Sequence, residues 1–493
     1  KNNSNALSKK LKNKKSIGNI EVKNIADKIN KNIFELISNS NLDLDLDLLE
    51  NFNLNLKDLG YKNSDSISKN IIFWMSGNNK FSRNHKTKVL LYQLLSFLLP
   101  IIANSNDPDT AFNNFSSIIN NISITTNFFS LLINNKKLLT LLVQILTTSN
   151  RLAGDISKFP DLLDSFIQQY ISSEVIEKKE YKNAFRKIIK QKPEEVKLES
   201  LRKLKREFHF RICLQIFLNL INSNQAGIAF TNLSGACLEI VLEITILNVT
   251  KRYGDPPCNF GLVMFGRFAS TQMNASSDLD FVIVYDNEEK KNSVSPSYYF
   301  ASFARTLISF LSSPMSEGKL YETDMRLRPS GLTGPVATSL KSFKDYYKFR
   351  AWEWEKIAIK KTKVISLEKK YYIKLNKALQ YVKKVKIEVK QLASEIIKMK
   401  QTRKLNVLKS SKYETKYVDG GQRDLEFLIS FINFSNKNIR DKGSFAMTQK
   451  LYDSIDQIIS SCFEKPIKEN FSDSFINSLL KFTGVSDVKE LDK

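Results

Sequence analysis

The chain has 493 residues, enough for two to four domains and a large core. An apolar fraction of 42% excludes a chain that is disordered throughout, and a formal charge of +24 invites a nucleic-acid reading. The sequence is also rich in Lys, Asn, Ile and Phe, a bias that nucleotide composition produces by itself, so nucleic acid is not the expected partner.

Cys213, Cys237, Cys258 and Cys462 are scattered without a C-x-x-C pair, and His85 and His209 are the only histidines. Neither structural zinc nor a disulfide framework is expected. The longest apolar stretch, residues 89–103, contains Gln93, Ser96 and Pro100 and falls short of the ~20 residues of a spanning helix. No secretory signal is visible, so a cytoplasmic protein without membrane association is expected. The first residue is Lys1 and not Met, which fits a piece of a longer protein.

In chain order, residues 1–60 read as a low-complexity linker, with a Leu-Asp alternation at residues 42–48 too narrow in composition to count as a strand. Residues 61–195 carry apolar residues at helical spacing, among them Leu91, Leu94, Leu95, Leu98, Leu138, Leu139 and Leu142, with polar breaks between. They predict a helical bundle with no visible chemistry, a scaffold or regulatory domain. Two long helices follow, at residues 197–222 and 230–251. The first bears Lys203, Lys205, Arg206 and Arg211, read as a solvated face in preference to a nucleotide contact.

The segment that carries chemistry is residues 263–328. Residues 262–265 and 281–285 are short apolar runs that predict buried strands, separated by a break at residues 266–270. Asp278 and Asp280 therefore stand at the mouth of a strand, and residues two apart point the same way. Two carboxylates on one face can share a metal ion. Residues 320–328 alternate strictly, placing Glu322, Asp324, Arg326 and Arg328 on one strand face. An acid followed by two arginines fits a site that holds a hard divalent cation and a polyphosphate together. Residues 298–311 predict an amphipathic helix between the two acidic strands, and residues 329–335 a turn-rich loop. Trp352 and Trp354 are read as packing in preference to base stacking, and the acids near residues 419–426 as complementing a helix dipole.

The order Gly-x-x-x-Ser, Ser-Asp-x-Asp at a strand start and a third acid on a later strand resembles the nucleotidyltransferase superfamily that includes DNA polymerase beta. With Ser277-Asp278-Leu279-Asp280, Asp324-Met325-Arg326-Leu327-Arg328-Pro329-Ser330-Gly331, Ala351-Trp352-Glu353-Trp354-Glu355 and Gly420-Gly421-Gln422-Arg423-Asp424 in sequence, the chain is similar to the glutamine synthetase adenylyltransferases. Members of that family have one head that removes AMP from glutamine synthetase and a second that adds it, with a helical regulatory segment between. The motifs here resemble the regulatory segment plus the adenylylating head.

The resemblance implies an α+β, predominantly helical fold, with a small mixed nucleotidyltransferase sheet flanked by helical bundles. It implies a catalytic domain at residues 196–365 and a C-terminal helical domain at 366–493. It further implies Asp278, Asp280 and Asp324 as catalytic Mg²⁺ ligands, and Gly266, Ser270, Ser277, Arg326 and Arg328 as nucleotide-binding residues. ATP would be the substrate, glutamine synthetase the acceptor through a tyrosine, and a PII signalling protein the regulatory partner. The chain departs from the family wording at Gly266-Arg267-Phe268-Ala269-Ser270, where Gly-Lys-Leu-Gly-Gly is usual, and at Gln272 and Gln422. Two rival readings remain: a template-independent RNA nucleotidyltransferase, and a catalytically impaired regulatory homologue.

Overall fold

A computed structural model describes residues 46–75, 84–105, 107–121, 125–163, 172–286, 294–406, 415–416, 418–434, 442–464, 471 and 473–488. It is predominantly helical with one small mixed sheet, an α+β fold, and it divides into two compact units.

The first unit, centred on residues up to 170, holds α1 (Leu46–Asp58), α2 (Ser64–Met75), α3 (His85–Ala103), α4 (Pro108–Asn121), α5 (Thr125–Asn134), α6 (Lys136–Thr148) and α7 (Asn150–Lys158). Its helix starts are set by polar caps: Asn84, Asn135 and Ser149 each accept from a backbone amide of the first turn. Trp74 stacks on Phe112 at 5.8 Å and meets Phe115 edge-on at 6.3 Å, tying α2 to α4. The part of the expected linker that is described, residues 46–58, is instead a helix, because Phe52 and Leu56 recur at helical spacing and are fully buried. Residues 1–45 lie outside the described residues.

The second unit begins with α8 (Lys178–Ile189), α9 (Glu194–Phe217) and α10 (Ser223–Tyr253). The basic face expected on α9 is not solvated throughout: Arg202 is 3% exposed and donates to the Phe310 carbonyl, and Arg206 pairs with Glu317 at 2.5 Å. By length and composition α3 and α10 are long and apolar enough to cross a membrane, which the run counted from residue 89 understated. In α10, 67% of the apolar window is buried inside the fold.

Then come β1 (Phe260–Met264), the one-turn α11 (Gly266–Ser270), β2 (Leu279–Tyr285), α12 (Pro296–Ser312), β3 (Thr323–Asp324), β4 (Ala337–Ser339), α13 (Leu340–Phe349), α14 (Glu353–Lys360) and β5 (Lys363–Ile365). Next are α15 (Lys369–Lys383), α16 (Val389–Asn406), α17 (Gln422–Phe434), α18 (Lys442–Cys462) and α19 (Asp473–Thr483). The pivot of the sheet is β2, which pairs antiparallel with β1 and parallel with β3 at its start and β4 at its end, while β5 extends the sheet beyond β1. The apolar runs alternate as buried strands must. Val263, Val282 and Val284 pack with Phe343, Tyr347 and Leu375 of α13 and α15. Phe260 packs against Phe300 and Phe303 of α12. The row that contains Val284 and Val282 continues to Asp280 and Asp278, and a buried strand thereby fixes where two carboxylates emerge.

Candidate active site

Two carboxylates come into register across a parallel strand pair. Asp280 lies opposite Asp324, and Leu279 opposite Thr323, on strands about 4.8 Å apart. The Leu279 amide donates to the Glu322 carbonyl at 2.9 Å, which extends the ladder and makes Asp278 and Glu322 the next neighbouring acids. Under them lies Gly266, at φ +56°, where a Cβ would stand 2.1 Å from Asp280 Oδ2. Only glycine permits that approach. Positive φ in this stretch occurs at Gly266 and Thr271 and not at Ala269, so the loss of the family's later loop glycines brings no backbone strain.

The electrostatics follow from the crowding. Burial pushes the Asp280 carboxyl up to about 6, with Asp324 and Asp278 adding repulsion. Burial also raises Asp278, against the opposing charge of Lys416. Asp324 is held below the usual range, because hydrogen bonds from Arg326 outweigh its own burial. A cleft of about 500 Å³ opens beside these acids, lined by Asp278, Glu322, Asp324, Arg326 and Arg328, with Ile308, Leu332 and Val336 as an apolar wall.

The arginine side differs from the strand that alternation predicts. Strand structure ends at Asp324, and residues 326–330 are turns. Asp324 causes this: its Oδ1 accepts from the Arg326 amide at 2.8 Å, a side-chain-stabilised turn, and its Oδ2 accepts from Arg326 Nη2 at 2.5 Å. Arg326 stays 73% exposed. Arg328 is buried, and its guanidinium donates to the carbonyls of Leu332 at 3.0 Å, Gly334 at 3.2 Å and Met325 at 3.3 Å. It organises the loop that walls the cleft.

The other sequence-selected residues are placed as follows. Ser277 Oγ donates to Asn274 Oδ1 at 2.8 Å and closes the turn before β2. Ser270 is exposed on α11, and its hydroxyl donates to the Gly266 and Arg267 carbonyls at 3.3 Å. In the Trp motif it is the glutamates that are buried: Glu355 accepts from the Tyr346 hydroxyl at 2.8 Å and the Trp352 amide at 2.9 Å, while Trp352 itself is 56% exposed. That reverses the packing expected of Trp352.

Sequence reasoning missed a polar network behind α11. Arg267 pairs with Asp456 of α18 at 2.5 Å and donates to Gln422 Oε1 at 3.0 Å. Gln422 and Gln272, the two departures noted above, both donate to Asp453, at 2.6 and 3.2 Å. Their being departures was the only signal, since no local pattern reports partners some 30 and 180 residues apart.

Among the described residues, no three His, Cys, Asp or Glu side chains are gathered as a ready metal site. The donor set nonetheless suits a hard cation, since Asp280 and Asp324 offer carboxylate oxygens in register on adjoining strands with Asp278 beside them. Arg326 occupies Asp324 in the place such a cation would share.

Paired strand-end carboxylates, a third in register on the adjoining strand and an open cleft beside them bring several acids and an exposed arginine to one place. Residues 139–378 match the family model for glutamate-ammonia ligase adenylyltransferase. It is 28% identical over 404 residues to a bifunctional glutamine synthetase adenylyltransferase/adenylyl-removing enzyme of Brucella suis, covering 80% of this chain and 41% of the relative. Relatives with the same name from Rhodopseudomonas palustris and Agrobacterium fabrum are 26% and 28% identical, each over 76% of this chain and 39% of theirs. The chain thus spans about two fifths of the length of these relatives.

Proposed function

We propose that this chain transfers AMP from ATP to a tyrosine hydroxyl of glutamine synthetase, releasing pyrophosphate. The observation that carries the reading is the register of Asp280 with Asp324 beside Asp278, at the mouth of a cleft that also presents Arg326. The names of the relatives supply the acceptor. A PII-type regulator would act on the whole enzyme, by analogy with the family.

Asp278 and Asp280 are the residues that would hold Mg²⁺, joined by Asp324 once Arg326 leaves it. When bound, Mg²⁺ offsets triphosphate charge and favours ionisation of the attacking hydroxyl. Arg326 is long, exposed and held by one carboxylate, so a phosphate oxygen can take over its guanidinium fork. Release of Arg326 removes the hydrogen bonds that depress Asp324, and its Oδ atoms become a better acceptor for the tyrosine proton. Ile308, Leu332 and Val336 form the apolar part of the cleft lining. Catalysis on this account is positioning and charge stabilisation.

The test is ATP labelled at the α-phosphate, with Mg²⁺, this chain and a bacterial glutamine synthetase. Label on one tyrosine of the synthetase is expected. Label on added RNA with none on the synthetase, or label on neither, overturns the reading.

A further inference from the structure

The segment that joins β1 to β2 has Gly266, the residue under Asp280, at its near end and Asp278 at its far end. Between them lie α11 and the turn at residues 273–277, both outside the sheet. Strand pairing therefore does not set the position of one relative to the other. A side chain of α18 does.

We propose that Asp456 of α18 is a positioning residue for nucleotidyl transfer, joining through one carboxylate oxygen the helix under Asp280 to the turn that delivers Asp278. The inference rests on the transfer reading above and adds to it a residue outside the cleft lining. Asp456 Oδ2 accepts from Arg267 Nη1 at 2.5 Å and from Asn274 Nδ2 at 2.6 Å. Arg267 follows Gly266 in α11, where a Cβ on Gly266 would meet Asp280 Oδ2. Asn274 builds the turn with its other side-chain atom: its Oδ1 accepts from the Ser276 amide at 3.0 Å and from Ser277 Oγ at 2.8 Å, and Asp278 comes next. One oxygen thus holds a donor from each half of the segment, and both bonds are of the strong, charge-assisted kind.

Neighbouring contacts brace the same turn. Gln457, also on α18 and 2% exposed, donates through Nε2 to the Met273 carbonyl at 2.7 Å. His209 Nε2 of α9 donates to the Ala275 carbonyl at 3.0 Å. Gly227 of α10 lets the chain pass close by, since a Cβ there would stand 2.8 Å from the Thr271 carbonyl oxygen. These contacts fix the segment against the helices around it, and Asp456 ties its two halves to each other.

A counter-charge role for Asp456 and a positioning role make opposite forecasts. If Asp456 only offsets the charge of Arg267, Asp456→Asn and Asp456→Ala do equal damage. If it is a joint, Asp456→Asn keeps it, because both bonds fall on one oxygen and a carboxamide retains one. Asp456→Ala should lower kcat for AMP transfer roughly tenfold or more, on the way to the ~10²-fold that a misplacement of about 1 Å costs, with KM for the synthetase unchanged. Asp456→Asn should return kcat to within about threefold of wild type.

Hydrogen exchange of the whole chain gives a readout without turnover: amides of residues 267–279 should exchange faster in Asp456→Ala and at the wild-type rate in Asp456→Asn. Should Asp456→Ala prove insoluble, Arg267→Met cuts the α11 side of the joint and should lower kcat in the same direction. Equal losses in Asp456→Asn and Asp456→Ala overturn the joint and leave the transfer reading standing, as does a folded Asp456→Ala chain with unchanged kcat or unchanged exchange. A wild-type chain that transfers no AMP overturns both.

Discussion

The two sides of the cleft come from one stretch of sequence pattern and behave in opposite ways. On the carboxylate side, Asp280 and Asp324 are fixed by backbone pairing between strands, and their positions follow from the same alternation that buries Val282 and Val284. On the arginine side the chain has left the sheet, and side-chain hydrogen bonds set the geometry: Arg326 on Asp324, Arg328 on three carbonyls. A ladder keeps like charges close at a cost in free energy, whereas a turn held by side chains can exchange partners. The acids are the preorganised half of the site and Arg326 the half that can move.

The largest effect should come from the rigid half. Asp280→Asn or Asp278→Asn should lower AMP transfer by roughly 10²–10³-fold or more, the scale of losing one electrostatic partner in a reacting site. The Asp280 variant should melt no lower than wild type in metal-free buffer, because an amide relieves the burial and repulsion that push its carboxyl up to about 6. Transfer within tenfold of wild type would remove the assignment of these residues to the reaction.

The two arginines should separate cleanly. Arg328→Ala leaves three carbonyl acceptors in a buried loop without their donor and should destabilise the second unit by about 3 kcal/mol, read by denaturant melts. Arg326→Ala removes an exposed side chain from one ion pair and should cost less than about 1 kcal/mol. It should instead raise KM for ATP. Equal stability losses would mean that both arginines serve the same purpose and would erase the contrast between them.

A smaller effect tests the network behind α11. Burial pushes Asp453 up to about 6 from 3.8, despite the charge of Arg267. The folded chain then holds this proton more tightly than the unfolded chain, so the stabilising contribution is complete below 3.8 and is lost as pH rises through about 6. A shift of this size corresponds to on the order of 2–3 kcal/mol. Melting temperature should fall between pH 4 and pH 7 in wild type, and less steeply in Asp453→Asn. An unchanged slope in the variant would show that Asp453 is ionised in the fold, paired with Arg267.

These contrasts mark what could be read from the sequence. The strands, the long helices and the Asp-x-Asp were legible because each is a local pattern with a period that burial enforces. The strand expected at residues 320–328 was not, because its period of two is satisfied by composition while Asp324 turns the chain through its own Oδ1, and Arg328 finds acceptors only after the loop has folded. The polar network behind α11 was not legible for a different reason: Arg267, Gln422 and Asp453 lie far apart in the chain and meet only in the packed second unit.

The smallest effect is expected at Ser270, the residue in the place where the family usually has a glycine. Its hydroxyl donates to the carbonyls of Gly266 and Arg267 at 3.3 Å, bonds that α11 can lose without opening. Ala269, just before it, already shows that a methyl group is accommodated in this turn, and Ser270 points to solvent. Ser270→Ala should therefore change KM for ATP by less than about threefold, well under the tenfold that 1.4 kcal/mol represents, with kcat unaltered. A tenfold rise in KM would mean that the hydroxyl swings from its own helix to a phosphate oxygen when ATP enters, and Ser270 would then belong with Arg326 to the half of the site that moves.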